Sequence, residues 1–179
     1  MRLATLRAMA GETSREREQL SASELAARLE GSRNELMDAI AALDEEGLRA
    51  HPDASQWSAA EVLAHLLSTE RFLTQRAQDA TVRQDCSISP RTERERTSDA
   101  RSAAQRMPVP QLIHGLLAVR RDTLRQIDAL TRDQLARPVH HSSHGEVTVA
   151  WLFDYVAAHE REHAAQIRAM REASAASRS

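Results

Sequence analysis

The sequence is poor in the residues that mark several common protein classes. Its 179 residues include one cysteine, Cys86, five glycines, five prolines and only 3% aromatic residues. A single cysteine excludes an internal disulfide framework and any cysteine-rich zinc or iron–sulfur site. The shortage of turn-forming and aromatic residues, beside abundant alanine, leucine, glutamate and arginine, argues against an all-β fold and favours helices.

Lysine is also absent, so all 24 basic residues are arginines. The 26 acidic residues outnumber them, and a net charge of -2 gives no electrostatic reason to expect nucleic-acid binding. Residues 1–10 contain no apolar segment of signal-peptide length, and no apolar run approaches the length of a membrane span. The sequence therefore predicts a cytoplasmic protein without nucleic-acid or membrane partners.

Four long amphipathic helices are predicted, and the first two carry clear start signals. Ser21 and Glu24 have capping-box spacing at the start of the first helix. Ser58 and Glu61 repeat the pattern at the second. We expect Gly47 to end the first helix.

The third and fourth helices follow two different connections. Pro110 is expected in the first turn of the third helix, and the fourth should start near Thr148 after a loop at 140–145. The polar stretch 81–108 is long enough to be a crossover between helices that are not antiparallel neighbours. We expect a short polar helix at 93–105 within it.

These segments predict an all-α protein: a four-helix bundle with a long crossover between its second and third helices. The bundle should span residues 21–173. Residues 1–20 then form an N-terminal polar extension, and residues 174–179 form a frayed tail.

Three histidines are candidates for a metal site. His159 and His163 lie four residues apart on the predicted fourth helix, so both imidazoles point to the same side, within its apolar stripe. His65 lies at one edge of the apolar face of the second helix. Three imidazoles leave a fourth coordination position open, as in a catalytic site. The alternative is a set of core histidines that are hydrogen-bonded to other polar groups.

Residues 159–163 also match the His-Glu-x-x-His pattern, in which the glutamate of a zinc protease is the general base. A protease is disfavoured because few residues follow His163, no glycine-rich continuation with a third histidine is present, and no edge strand is predicted. Glu160 follows His159 directly, so we expect it to point off the bundle axis. It would face solvent or support the ligands from behind.

Two segments resemble motifs of the DinB/YfiT-like family of metal-dependent enzymes. Residues 57–65 (Trp-Ser-Ala-Ala-Glu-Val-Leu-Ala-His) resemble the family's second-helix motif. Residues 145–152 (Gly-Glu-Val-Thr-Val-Ala-Trp-Leu) and 159–167 (His-Glu-Arg-Glu-His-Ala-Ala-Gln-Ile) resemble its fourth-helix motif. The order and separation of the motifs also fit, and the resemblance extends over residues 21–173.

The resemblance implies a four-helix bundle, a divalent metal held by His65, His159 and His163, and a homodimer. Characterised relatives include bacillithiol-dependent S-transferases, the mycothiol-dependent maleylpyruvate isomerase and metal-dependent hydrolases. Many relatives have aspartate where this chain has Glu160, which leaves the role of that position open.

Other polar residues near the predicted site are candidates for lesser roles. Gln166 and Tyr155 could contact substrate or a metal-bound water, or could be packing residues. His140, His141 and His144 are expected in a solvated loop near the site, where they could also shuttle protons.

The sequence and the resemblance together predict a metal-dependent S-transferase, isomerase or hydrolase that acts on a small molecule. Zn²⁺ is favoured, although imidazole ligands also accept Ni²⁺, Mn²⁺ or Fe²⁺. A low-molecular-weight thiol would be the cofactor in the first two cases. The alternatives are a non-enzymatic bundle, either a stress-related metal-binding protein or a dimeric scaffold, and, less favoured, the zinc protease.

Overall fold

The computed structural model describes residues 20–53 and 56–176. The elements are, in chain order, α1 (Ala22–Ile40), α2 (Glu45–Arg49), α3 (Ala59–Val82), β1 (Ser87–Ile88), α4 (Pro90–Arg106), α5 (Val109–Ala129), α6 (Arg132–Leu135), β2 (Pro138–His141), β3 (Gly145–Thr148) and α7 (Val149–Ala176). The predicted all-α bundle is confirmed, with α1, α3, α5 and α7 as its four long helices. Within the described ranges no helix is both long and apolar enough to cross a bilayer.

Both predicted capping boxes are present. The Ser21 hydroxyl accepts from the Glu24 amide, while the Glu24 carboxylate accepts from the Ser21 amide. Ser58 and Glu61 make the same reciprocal pair at the start of α3. These bonds satisfy amides that have no partner within the first helical turn, so they fix where each helix begins.

The predicted end of the first helix is wrong. α1 ends at Ile40, and Gly47 lies inside the short helix α2. The side chain of Asp44 accepts a hydrogen bond from the Gly47 amide, so Asp44 starts a new helix after the chain has already turned. The third helix begins at Val109 with Pro110 in its first turn, as predicted.

The predicted crossover joins two parallel neighbours. The Gln126 amide of α5 bonds to the carbonyl of Thr74, and the Arg120 guanidinium bonds to Glu70, so α3 and α5 run in the same direction. Between them α4 returns along α3, because Arg101 of α4 pairs with Glu61 in the first turn of α3. α4 (Pro90–Arg106) is also longer than the helix predicted at 93–105.

In the bundle, α1 and α3 lie at opposite corners, and each packs against both α5 and α7. The Arg28–Asp154 and Glu35–Arg161 pairs show that α1 and α7 are parallel. The bundle thus contains two parallel neighbouring pairs, an arrangement that requires long connections at more than one place.

The segments that connect the long helices form a small sheet. Two of its strands stand where a loop was predicted at 140–145, so that prediction is wrong. β1 pairs with β2 in parallel, and β2 pairs with β3 in an antiparallel hairpin. Gly145 begins β3 with a φ of 75°, in the left-handed region that favours glycine. Strands of two to four residues carry too little alternation for a sequence pattern to reveal them.

The predicted N-terminal extension (1–20) and C-terminal tail (174–179) lie largely outside the described residues, which exclude 1–19 and 177–179. Leu20 is described and packs against the apolar core, and α7 continues to Ala176. The domain boundaries stay predictions.

Candidate metal centre

His65, His159 and His163 meet in the groove between α3 and α7. Nε2 of His159 lies 3.3 Å from Nε2 of His65 and 3.2 Å from Nε2 of His163. One ring nitrogen from each histidine lies within 4.8 Å of the other two. All three side chains are half-buried rather than enclosed in the core, so solvent reaches the groove.

The donor set fits a divalent metal. Tetrahedral zinc with Zn–N bonds of about 2.0–2.1 Å places its ligand nitrogens roughly 3.3 Å apart. The two shortest nitrogen–nitrogen distances match this spacing. A single ring nitrogen presents either one N–H or one lone pair, so Nε2 of His159 completes only one of its two contacts as a good hydrogen bond. A cation at the common point would satisfy all three lone pairs.

Neighbouring side chains hold each imidazole in place. The Trp57 ring meets His65 edge-on with centroids 5.3 Å apart, and the Tyr155 ring stacks on His159 at 5.6 Å. Nδ1 of His163 lies 2.8 Å from the side-chain oxygen of Gln166. Because that oxygen only accepts, Nδ1 of His163 carries the proton and Nε2 keeps its lone pair toward the other histidines.

Burial lowers the pKa of His163 below its ordinary value, and the hydrogen bond to Gln166 offsets only part of this shift. His163 is therefore neutral at neutral pH. A neutral imidazole is the form that binds a metal, so the local environment favours the ligand state.

Glu160 was expected either to face solvent or to support the histidines from behind. It does not face solvent, so the first expectation is wrong. The residue is 2% exposed and lies at the centre of the bundle. The histidines, expected in the middle of the buried stripe of α7, instead line its side toward α3. α7 packs against both α1 and α3, and the interior of the bundle lies between these two contact faces. Glu160 is turned from the α3 side toward the α1 side and therefore enters the interior.

Glu160 belongs to a buried cluster with one residue from each long helix: Arg33, Glu70, Arg120 and Glu160, here called the ionic quartet. Arg33 donates to Glu70 at 2.7 Å and to Glu160 at 2.6 Å. Arg120 donates to the same two carboxylates at 2.7 and 2.9 Å. Each side chain is at most 5% exposed, and the two positive charges balance the two negative charges.

Further hydrogen bonds complete the ionic quartet. The Ser32 hydroxyl donates to Glu160 at 2.5 Å and the Thr123 hydroxyl donates to Glu70 at 3.0 Å. Burial disfavours the charge of Arg120, but the carboxylates of Glu70 and Glu160 outweigh that effect and raise its pKa. Arg120 thus keeps its charge, and hydrogen bonds connect all four side chains, as a buried ionic group requires.

The histidines before α7 differ from the expected solvated loop. His140 is exposed, His144 is half-buried, and His141 is 2% exposed. The ring of His144 packs on Trp151 and Tyr155 with centroids 4.9 and 5.8 Å apart. The hairpin therefore folds His141 and His144, but not His140, onto the helix surface that leads to His159.

The surroundings of Cys86 disfavour a nucleophile. It is buried, and its thiol donates to the carbonyl of Arg76 at 3.5 Å. Burial raises the pKa of the Cys86 thiol above its ordinary value, which disfavours the reactive thiolate.

A cavity of about 350 Å³ opens beyond the histidines at the end of the bundle that carries α2. Its lining includes Ala59 of α3 and Met170 of α7, together with His51 and Arg171. The three histidines are not part of that lining. This cavity is a space separate from the three histidines.

A sequence model of the DinB superfamily matches residues 28–167. The chain is 25% identical over 151 residues to the uncharacterized protein YuaE of Bacillus subtilis strain 168, and the match covers 79% of this chain and 93% of YuaE.

Two solved structures share the fold. One is YfiT from Bacillus subtilis, described as a probable metal-dependent hydrolase with an unusual four-helix bundle topology. It matches with a TM-score of 0.65 and 18% identity, over 82% of this chain and 85% of YfiT. The other is the mycothiol-dependent maleylpyruvate isomerase, with a TM-score of 0.69 and 11% identity, over 84% of this chain and 62% of the isomerase.

Proposed function

Because this chain belongs to the DinB superfamily, we propose that it is a divalent-metal-dependent enzyme that acts on a small molecule. His65, His159 and His163 are the proposed ligands. The observation that carries the proposal is the approach of three imidazole nitrogens within 4.8 Å of one another. Two of the three distances, 3.2 and 3.3 Å, match the spacing of ligands around a tetrahedral metal.

Zn²⁺ is the favoured ion, since it commonly takes three protein nitrogens and one exchangeable ligand; Ni²⁺, Mn²⁺ and Fe²⁺ also accept imidazole. The metal would supply Lewis acidity that lowers the pKa of a bound water or thiol. The protein's own part is to orient the donors. Gln166 fixes the tautomer of His163, and Tyr155 fixes the plane of the His159 ring.

Two reaction classes fit this site. The isomerase that shares the fold depends on mycothiol, which supports a low-molecular-weight thiol as the second cofactor of an S-transferase or isomerase. The likeness to YfiT supports hydrolysis of a small molecule. We therefore propose that the reaction is either a thiol-dependent transfer or isomerisation, or a hydrolysis.

A non-enzymatic metal-binding bundle is the second candidate. One observation favours it: Glu160, which directly follows His159, is held by Arg33, Arg120 and Ser32. Those contacts occupy both of its oxygens. The same geometry removes the general base that the zinc-protease hypothesis needs, because Glu160 is not available to a metal-bound water.

The reaction class can be tested by reloading metal-free protein with each ion in turn. We expect activity only in loaded protein, either conjugation of bacillithiol, mycothiol or glutathione to a chromogenic electrophile or hydrolysis of a nitrophenyl ester. Dependence on the thiol would identify the transferase class, and thiol-independent turnover would identify a hydrolase. The matched control is His159→Ala treated in the same way. Stoichiometric metal binding without turnover across both panels would favour the non-enzymatic bundle.

We also propose that the protein is a homodimer, and the outer face of α5 is the surface best suited to it. Leu117 is 44% exposed there, beside Ile113 and Leu124. Glu45 borders one end of this face and Arg125 the other. A two-fold axis near Leu117 would bring the Glu45 of each copy toward the Arg125 of the other.

Leu117→Arg should therefore convert a two-chain assembly into a monomer, because it adds a charge at the centre of the apolar contact. Light scattering coupled to gel filtration measures the mass directly. Val82→Arg is the control, since Val82 is exposed but lies outside this face. A one-chain mass for the unmodified protein would refute the homodimer.

A further inference from the structure

The two helices that carry the histidines also carry both carboxylates of the ionic quartet. Glu70 lies on α3, five residues after His65, and Glu160 lies on α7, next to His159. Each guanidinium, from Arg33 of α1 and Arg120 of α5, binds both carboxylates at once. α3 and α7 are thus tied together through two separate bridges close to the proposed metal site.

The buried faces of α3 and α7 contain many small residues, beside larger ones such as Leu63 and Leu152. Both helices bury many alanines: Ala59, Ala60, Ala64, Ala77 and Ala80 in α3, and Ala150, Ala157 and Ala164 in α7. Small side chains form shallow ridges, and packing of apolar groups tolerates small shifts more readily than directional hydrogen bonds do. A shift of one residue along a helix moves a side chain by about 1.5 Å and turns it by about 100°. Such a shift would separate the three imidazoles.

The guanidinium groups are themselves anchored. Nη1 of Arg33 donates to the carbonyl of Leu116 in α5, and Nη1 of Arg120 donates to the carbonyl of Leu29 in α1. In the first bond α1 supplies the donor and α5 the acceptor, and in the second the roles are reversed. The bridges to Glu70 and Glu160 therefore start from fixed positions, and the planar fork of each arginine sets the direction of both.

We propose that the ionic quartet is a positioning device that sets the register of α3 against α7 and thereby the spacing of the three imidazole nitrogens. A buried ionic cluster is seldom needed for stability, since apolar residues of similar volume usually stabilise the interior as well or better. Its value here is geometric specificity. The inference rests on the proposed function, because the spacing matters only if the histidines share a ligand.

The test replaces the whole ionic quartet in the full chain: Arg33→Met, Glu70→Leu, Arg120→Met and Glu160→Leu together. We expect the melting temperature of the metal-free protein to be unchanged or higher. Zinc affinity, measured by chelator competition, should fall by at least about 10-fold, as for other groups that orient ligands. The absorption spectrum of bound Co²⁺ should lose tetrahedral intensity. Leu135→Ala, a buried change remote from the ionic quartet, should lower the melting temperature and leave zinc affinity unchanged.

A second variant covers the case in which the fourfold replacement does not fold. Arg120→Lys keeps the charge but loses the planar fork, so it should fold and bind zinc several-fold more weakly. Wild-type zinc affinity and a wild-type Co²⁺ spectrum in the folded variant would overturn the inference.

A readout in metal-free protein separates this inference from the proposed function. Proton–proton Overhauser contacts between the rings of His65 and His159 report their spacing without any metal. We expect these contacts in the wild-type protein and their loss in the ionic-quartet variant. If the wild-type protein binds no metal, the proposed function fails, while equal ring contacts in both proteins would refute the positioning role on their own.

Discussion

Replacing Arg120 alone with methionine is expected to lower the free energy of unfolding by about 3–5 kcal/mol, because it leaves two buried carboxylates facing a single guanidinium. For a chain of this size the melting temperature should fall by about 10 °C. Thermal unfolding followed by circular dichroism measures the change. The control is Asp122→Asn on the same helix, where a 63% exposed side chain makes a surface pair with Arg125 worth no more than about 1 kcal/mol.

A double variant tests the cause of this destabilisation. Adding Glu160→Leu to Arg120→Met leaves a neutral pair between Arg33 and Glu70, whose atoms are 2.7 Å apart. We expect the double variant to recover much of the stability that the single variant loses. If the two substitutions instead add their separate costs, charge imbalance is not the reason for the loss, and the ionic quartet does not act as one unit.

The second large effect concerns metal affinity. His159→Ala removes the imidazole whose Nε2 contacts both other rings. Zinc affinity should therefore fall by more than about 100-fold, a larger loss than replacement of a residue that only orients a ligand causes. Calorimetric titration of metal-free protein with Zn²⁺ gives the affinity. His140→Ala is the matched control, because that histidine is exposed and lies on the hairpin outside the ligand cluster. Equal affinities in the two variants would contradict the assignment.

The contribution of His163 to the pH dependence of zinc binding should follow from its pKa, which burial lowers. Protons compete with the metal for the ligand nitrogens. Because His163 binds its proton less readily than an ordinary imidazole, it should begin to oppose zinc binding only below the usual histidine pKa of about 6.5. In metal-free protein the same shift contributes stability that is present above the unfolded pKa and is lost as the pH falls through the folded pKa.

Much of the fold could be predicted because its signals are local. The capping boxes at Ser21 and Ser58 lie within four residues of chain, and they locate two helix starts correctly. The length of the stretch at 81–108 predicts its crossover. Two features could not be predicted. β1 pairs with a strand far away in the chain, which no local signal shows. The end of α1 at Ile40 is hidden because the apolar repeat continues to Leu43.

The candidate site was only partly visible in the sequence. The i, i+4 spacing of His159 and His163 shows that they share one side of a helix, but the exposure of that side depends on where α1 packs. The ionic quartet was missed although a signal exists. Arg33 and Arg120 occupy positions that continue the apolar repeats of α1 and α5, between Leu29 and Leu36 and between Leu116 and Ile127. Charged residues at such positions on several helices indicate that they pair inside the bundle.

The most direct test of the metal centre is elemental analysis of tag-free protein beside the His159→Ala variant. We expect about one equivalent of a transition metal per chain in the wild-type protein, retained or taken up when Zn²⁺, Ni²⁺ or Mn²⁺ is added. The variant should bind less than a tenth of that amount under the same conditions. No metal in the wild-type protein as purified, and none after each ion is added, would contradict the account and leave His65, His159 and His163 as core histidines.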